Sequence, residues 1–166
     1  MKERAVLDTS FLVNLKRLEV LKYLCDVFDD ILITPEVWKE SFQFHNDLEK
    51  LNCINKEELT LTERERVNVL HKEFSSHFAG KHVGEIESLV LSQSRGYFLV
   101  ISDNFAPWFI RKHHEEYSEV KIFRGTYFFT RLLELGKIKI EFFDKLIGTY
   151  STKDISRIKQ RYGNHE

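Results

Sequence analysis

Short, wholly apolar runs alternate along this chain with stretches whose apolar residues recur every three or four positions. Ala5-Val6-Leu7 is the first run, and it ends on Asp8. Thr9 and Ser10 offer caps for a following helix. Phe11, Leu12, Leu15, Leu18, Leu21 and Leu24 keep helical spacing and predict one helix over about 10–28. Ile31-Leu32-Ile33 reads as a second buried strand. Thr34-Pro35 sets an N-cap with proline at the first helical position, so a helix follows with Val37 and Trp38 inward and Glu40 near its end. Residues 43–82 are more polar. They predict a short strand within 54–61, a helix over about 62–74 from the capping pattern Thr62-Glu63-Arg64-Glu65, and a loop over 75–82 around Gly80. A helix over 83–94 ends at Gly96. Tyr97-Phe98-Leu99-Val100-Ile101 is the cleanest strand, closed by Ser102-Asp103. A helix over about 104–116, a strand over 120–123, a helix over 126–135 and two short helices from Glu141 and Thr152 complete the pattern.

Short strands that are apolar throughout and alternate with helices predict a parallel sheet covered on both faces, a three-layer α/β/α sandwich. The pattern fits one domain over 1–166, with a core of about 4–146 and C-terminal helices over about 141–162. Sheets of this kind bind ligands beyond the carboxyl ends of their strands, where the strand order reverses. Asp8 and Asp103 each stand directly after a strand.

Composition adds bounds rather than a function. Apolar residues make up 42% and charged residues 31%, a globular balance. The net charge of −1 gives no broad basic surface, so any positive field for nucleic acid comes from local patches or bound metal. Cys25 and Cys53 lack ligand or redox-motif spacing and are expected as buried thiols in a reducing cell. No basic-then-apolar leader opens the chain and no apolar run reaches the length of a membrane span, so a soluble, cytoplasmic protein is expected. His71, His77, His82, His113 and His114 match no zinc spacing and read as surface residues. Glycine patterns for nucleotide phosphates are absent. An aspartyl-phosphate phosphatase would need a second Asp where Ser10 stands.

One strand-terminal Asp is explained by helix capping. Two of them, with acids on the neighbouring helices, suggest a carboxylate cluster. Such a cluster repels itself unless a cation is present, and its hard oxygens suit Mg²⁺ or Mn²⁺.

Four segments carry a resemblance. Val6-Leu7-Asp8-Thr9-Ser10, Ile33-Thr34-Pro35-Glu36-Val37-Trp38-Lys39-Glu40, Gly84-Glu85-Ile86-Glu87-Ser88-Leu89 and Val100-Ile101-Ser102-Asp103-Asn104 resemble, in order and spacing, the four acidic motifs of the PIN domain. The resemblance extends over about 4–146. It is nearest a prokaryotic branch with a Gly-Glu-x-Glu helix and a late Gly-Thr helix start, here Gly125-Thr126. It implies that Asp8, Glu40, Glu85 and Asp103 are the catalytic acids. Asp8, Asp103 and Glu85 would ligate metal, with Glu40 and Glu85 completing the shell or assisting a water. Helical geometry puts Glu85 and Glu87 on opposite flanks of the Ile86-Leu89-Val90 stripe and does not choose between them; the family pattern favours Glu85. Glu36 shares a face with Glu40 and reads as a supporting acid or a solvated one. Thr9, Ser10 and Ser102 either orient carboxylates or cap backbone. Two departures stand out: Asn104 where relatives often have a second acid, and Ala106-Pro107-Trp108 where they often have arginine. Arg111 and Lys112 close a helix and either answer its dipole or contact phosphate. Tyr127-Phe128-Phe129 reads as core or a homodimer face.

The resemblance implies a Mg²⁺- or Mn²⁺-dependent endoribonuclease like the toxins of toxin–antitoxin pairs, with RNA as substrate and an antitoxin-like protein as a further partner. The rival reading is a catalytically silent PIN-like module that binds RNA or a protein.

Overall fold

The computed structural model describes residues 2–78, 82–102, 111–112 and 114–163, with the side chains of 74–78 and 114 left aside. Five strands, β1 (Glu3–Leu7), β2 (Phe28–Ile33), β3 (Ile54–Lys56), β4 (Phe98–Ile101) and β5 (Ile122–Arg124), form one sheet in the order β3-β2-β1-β4-β5. Every pairing is parallel. Val6 pairs with Leu32 on one side and Leu99 on the other, so β1 lies at the centre. The chain builds outward from β1 to β3, then crosses back to β4. The strand order therefore reverses between β1 and β4, which is where such a sheet opens a crevice at its carboxyl ends.

Alternate residues of each strand feed two separate cores, one on each face. Ala5, Leu7, Ile31, Ile33 and Val100 pack with Phe11, Leu15, Leu24, Phe128 and Phe143. Val6, Leu32, Leu99 and Ile101 pack with Val67, Leu70, Ile86, Leu89 and Tyr117. The first core seats α1 (Thr9–Arg17), α2 (Leu24–Val27), α3 (Pro35–Glu40), α4 (His45–Glu49) and α8 (Gly125–Glu134). The second seats α5 (Leu61–Phe78), α6 (Val83–Arg95) and α7 (His114–Tyr117). This is the expected three-layer sandwich. Phe128 and Phe129 are fully buried, so of the two readings of that run the core is the right one. No described helix is long and apolar enough to cross a membrane.

Several elements depart from the sequence pattern. The single helix expected over 10–28 is broken after Arg17, and a 3₁₀ turn over Leu21–Tyr23 precedes α2. Glu19 takes a left-handed conformation with φ of 60°, Val20 N–H donates to the Leu15 carbonyl at 3.0 Å and Glu19 N–H to that of Lys16 at 3.1 Å. This is a Schellman stop, with buried Val20 and Leu15 at its hydrophobic contact. It lacks the usual glycine, so periodicity ran straight through it. Glu19→Gly removes the left-handed penalty and should raise stability by about 1 kcal/mol, roughly 2–4 °C in melting temperature. A lower melting temperature would contradict this account.

The capping box of α5 also lies earlier than expected. Glu63 N–H donates to Thr60 Oγ at 3.2 Å and Thr60 N–H to Glu63 Oε2 at 2.7 Å, so the box is Thr60 to Glu63 rather than a start at Thr62. Helix α5 then continues through Phe78, into the region expected as loop. The segment expected as a helix from Glu141 is a 3₁₀ run over Ile140–Leu146, followed by α9 (Thr152–Tyr162). Cys25 and Cys53, expected as thiols, form a disulfide with Cα atoms 5.5 Å apart. Their spacing could not show that α2 lies against the start of β3, where Ile31 N–H donates to the Cys53 carbonyl.

Candidate active site

Asp8 extends β1 beyond its last residue and is 1% exposed. Its carboxylate caps α1: Oδ1 accepts from Phe11 N–H at 2.9 Å and Oδ2 from the Ser10 hydroxyl at 3.0 Å. Capping is thus real, and it holds one buried carboxylate in fixed orientation at the sheet's central edge. The next residue reaches outward: the Thr9 hydroxyl donates to Glu40 Oε2. Glu40 ends α3 (Pro35–Glu40), whose start is fixed by Thr34 accepting from Val37 N–H and by proline at its first position.

Helix α6 closes on Glu40 from the other side. A Cβ at Gly84 would stand 3.1 Å from Glu40 Oε2 and 3.3 Å from Val37 Cγ2, so glycine lets the first turn of α6 approach Glu40 without displacing it by a few tenths of an ångström. Sequence reasoning quoted Gly84 without giving it a role; its place beside two acids in a helix start was the available signal. Gly84→Ala should push Glu40 away from Thr9 and cost about 1 kcal/mol. Melting and a crystal structure of the variant would check both, and an undisturbed Thr9–Glu40 contact would contradict it.

Glu85 follows in that first turn, with its side chain 16% exposed and His82 Nδ1 3.6 Å from its Oε1. Glu87 goes elsewhere. Its Oε2 accepts from Glu36 N–H at 3.0 Å, which caps the amino end of α3. Burial pushes the Glu87 carboxyl above the usual range, the bonds from Glu36 N–H and Thr34 oppose this, and the charges of Glu36 and Glu40 add to it. Glu36 pairs with Lys39 at 3.5 Å.

Ser102 follows β4, and its Oγ lies 3.4 Å from the Tyr150 hydroxyl. Burial raises the Tyr150 pKa; hydrogen bonds with Ser102 and Asn14 lower it, and the charge of Asp8 raises it further. Tyr150 therefore lies near both Ser102 and Asp8, a neighbour that sequence reasoning missed because it comes from a remote C-terminal segment. Asp103, Asn104 and residues 106–108 lie outside the described residues. Arg111 and Lys112 are helical and exposed.

The structure thus links Asp8, Thr9, Glu40 and Gly84 in one chain of contacts, with Glu85 in the same turn as Gly84 and Ser102 just past the neighbouring strand. Among the described residues no group of three or more acids, histidines or cysteines is close enough to form a ready metal cage. The donor chemistry itself, carboxylates with a hydroxyl and no thiolate, suits a hard divalent cation.

A family model described as the PIN domain matches residues 4–108, well over half of the chain. The chain belongs to the PIN-domain family. PIN domains are in general nucleases. Among solved structures, a toxin–antitoxin complex from Klebsiella pneumoniae is similar at 18% identity and a TM-score of 0.46, covering 61% of this chain and 88% of that one. No curated protein matches at a significant level. The match takes in the segments that carry Asp8, Glu40, Glu85 and Ser102, and it ends before α8 and α9.

Proposed function

We propose that this PIN domain is an endoribonuclease that hydrolyses RNA phosphodiesters with Mg²⁺ or Mn²⁺. The observation that carries the reading is the joined placement of Asp8 and Glu40. The Thr9 hydroxyl bonds Glu40 and the bare backbone of Gly84 admits it, so the ends of β1 and α3 and the start of α6 meet at the strand-order reversal. Asp8, Glu85 and Asp103 would hold the metal, and Glu40 would orient the attacking water. When bound, a divalent cation supplies Lewis acidity and a water made more acidic.

The protein's own part is to fix these groups beforehand. Phe11 N–H and the Ser10 hydroxyl lock the Asp8 carboxylate in one rotamer, and Thr9 does the same for Glu40. Glu36 and Glu87 brace α3 and stay out of the reaction. Arg111 and Lys112, exposed on a helix that follows Asp103 in sequence, would meet the RNA backbone. An antitoxin-like protein partner is part of this proposal on the family resemblance alone.

The test is cleavage of single-stranded RNA with Mn²⁺, stopped by chelation. Wild-type protein that binds RNA with salt-sensitive affinity and never cuts it with any divalent metal would favour the silent module. Asn104 and the missing arginine point the same way.

A further inference from the structure

A cavity of about 220 Å³ opens at the carboxyl ends of β4 and β5. Its wall includes Ser102, Arg124, Thr126, Tyr150, Ser151 and Asp154. We propose that this cavity seats a backbone phosphate of the bound RNA strand, next to the one that is cut; the identity of the strand rests on the nuclease reading.

Three features converge on an anion. Helix α8 spans ten residues and starts at the cavity with no side-chain cap on its amino end. Its unsatisfied first-turn N–H groups and dipole favour negative charge there. Thr126, in that first turn, is 9% exposed, lines the cavity, and makes no side-chain hydrogen bond among the described residues. A hydroxyl placed there can donate to a ligand oxygen. Arg124 is exposed at the cavity wall and has no carboxylate within ion-pair distance among the described residues. A guanidinium fork matches phosphate oxygens.

The local sequence keeps this opening in shape. A Cβ on Gly125 would fall 2.3 Å from Tyr150 Cε1, so glycine lets the Tyr150 ring lie directly on the helix start. The same ring lines the cavity, and its hydroxyl lies 3.4 Å from Ser102 Oγ at the cavity wall. Because β1, β4 and β5 are consecutive in the sheet, the seat is about 10 Å from the Asp8 strand, two strand spacings away. Asp154 also lines the cavity and repels an anion, which confines the phosphate to the Arg124 side. A ribose 2′-hydroxyl is the donor of the same strand that Asp154 accepts from, and it is the group that tells RNA from DNA.

The test measures binding of a labelled oligouridylate in chelator, across a range of salt, by wild type, Arg124→Gln and Thr126→Val. Arg124→Gln should weaken binding about 5- to 10-fold and lower the slope of log affinity against log salt by about 0.7, one phosphate contact on a single strand. Thr126→Val should weaken binding with the slope unchanged. Titration with inorganic phosphate should move the Gly125 and Thr126 amide resonances in wild type; if only the oligonucleotide moves them, the seat takes strand phosphate and not the free ion. Equal affinity and slope for wild type and Arg124→Gln overturn the seat, as does a wild type that binds no RNA. Loss of cleavage under every metal with Arg124-dependent binding intact removes the nuclease reading and leaves the seat.

Discussion

Asp8→Asn should leave the fold standing while cutting RNA cleavage by about 100-fold or more, the scale of losing one preorganised electrostatic group. The fold survives because Asn is as good an N-cap as Asp. Its side-chain oxygen can still accept from Phe11 N–H, and the Ser10 hydroxyl, donor and acceptor both, can turn to meet an amide. What is lost is a negative charge that is 1% exposed at the edge of the central strand. The same change should separate the proteins thermally. Metal at 100 times its dissociation constant stabilises wild type by about 2.7 kcal/mol, roughly 5–10 °C in a chain of this size. Asp8→Asn should lose most of that shift and melt close to wild type without metal, since asparagine keeps the cap of α1. Equal metal-induced shifts in the two proteins would remove Asp8 from any metal site.

Local chemistry made most of the framework legible. Strands apolar throughout predicted two buried faces, and Val6 against Ala5 and Leu7 now mark those two cores. Thr34-Pro35 and Gly96 announced their helix ends because capping acts within one turn. The Glu19 stop escaped because a left-handed non-glycine residue leaves no compositional mark. The Thr60–Glu63 box escaped because two overlapping capping patterns compete and only packing chooses between them. At the site, the strand-terminal place of Asp8 followed from topology. The split between Glu85 and Glu87 did not, because helical phase places both beside the stripe. The amino end of α3 gives Glu87 its partner, and only tertiary packing brings that end there. Tyr150 and Gly84 depend in the same way on surfaces that meet from distant segments.

The Cys25–Cys53 disulfide was the least legible feature, and it carries the largest expected effect on stability. It closes a sequence separation of 28 residues, for which lost loop entropy in the unfolded chain predicts about 3.6 kcal/mol. Cys25→Ala with Cys53→Ala should therefore lower the melting temperature by roughly 7–14 °C. Substitution is a cleaner test than reductant, because Cys53 is 5% exposed and a reducing thiol reaches it poorly in the folded protein. The closed segment contains β2, all of α3 and Glu40. Yet the stabilisation acts mainly on the unfolded state, and β2 is held independently by its pairing with β1 and β3. Cleavage at 20 °C should therefore change little while resistance to heat falls. Alkylation of the native protein with and without prior reduction would count the thiols directly. A double variant that melts with wild type would show that the cross-link does not constrain the chain. A double variant that loses cleavage at low temperature would show instead that the disulfide positions α3 and Glu40.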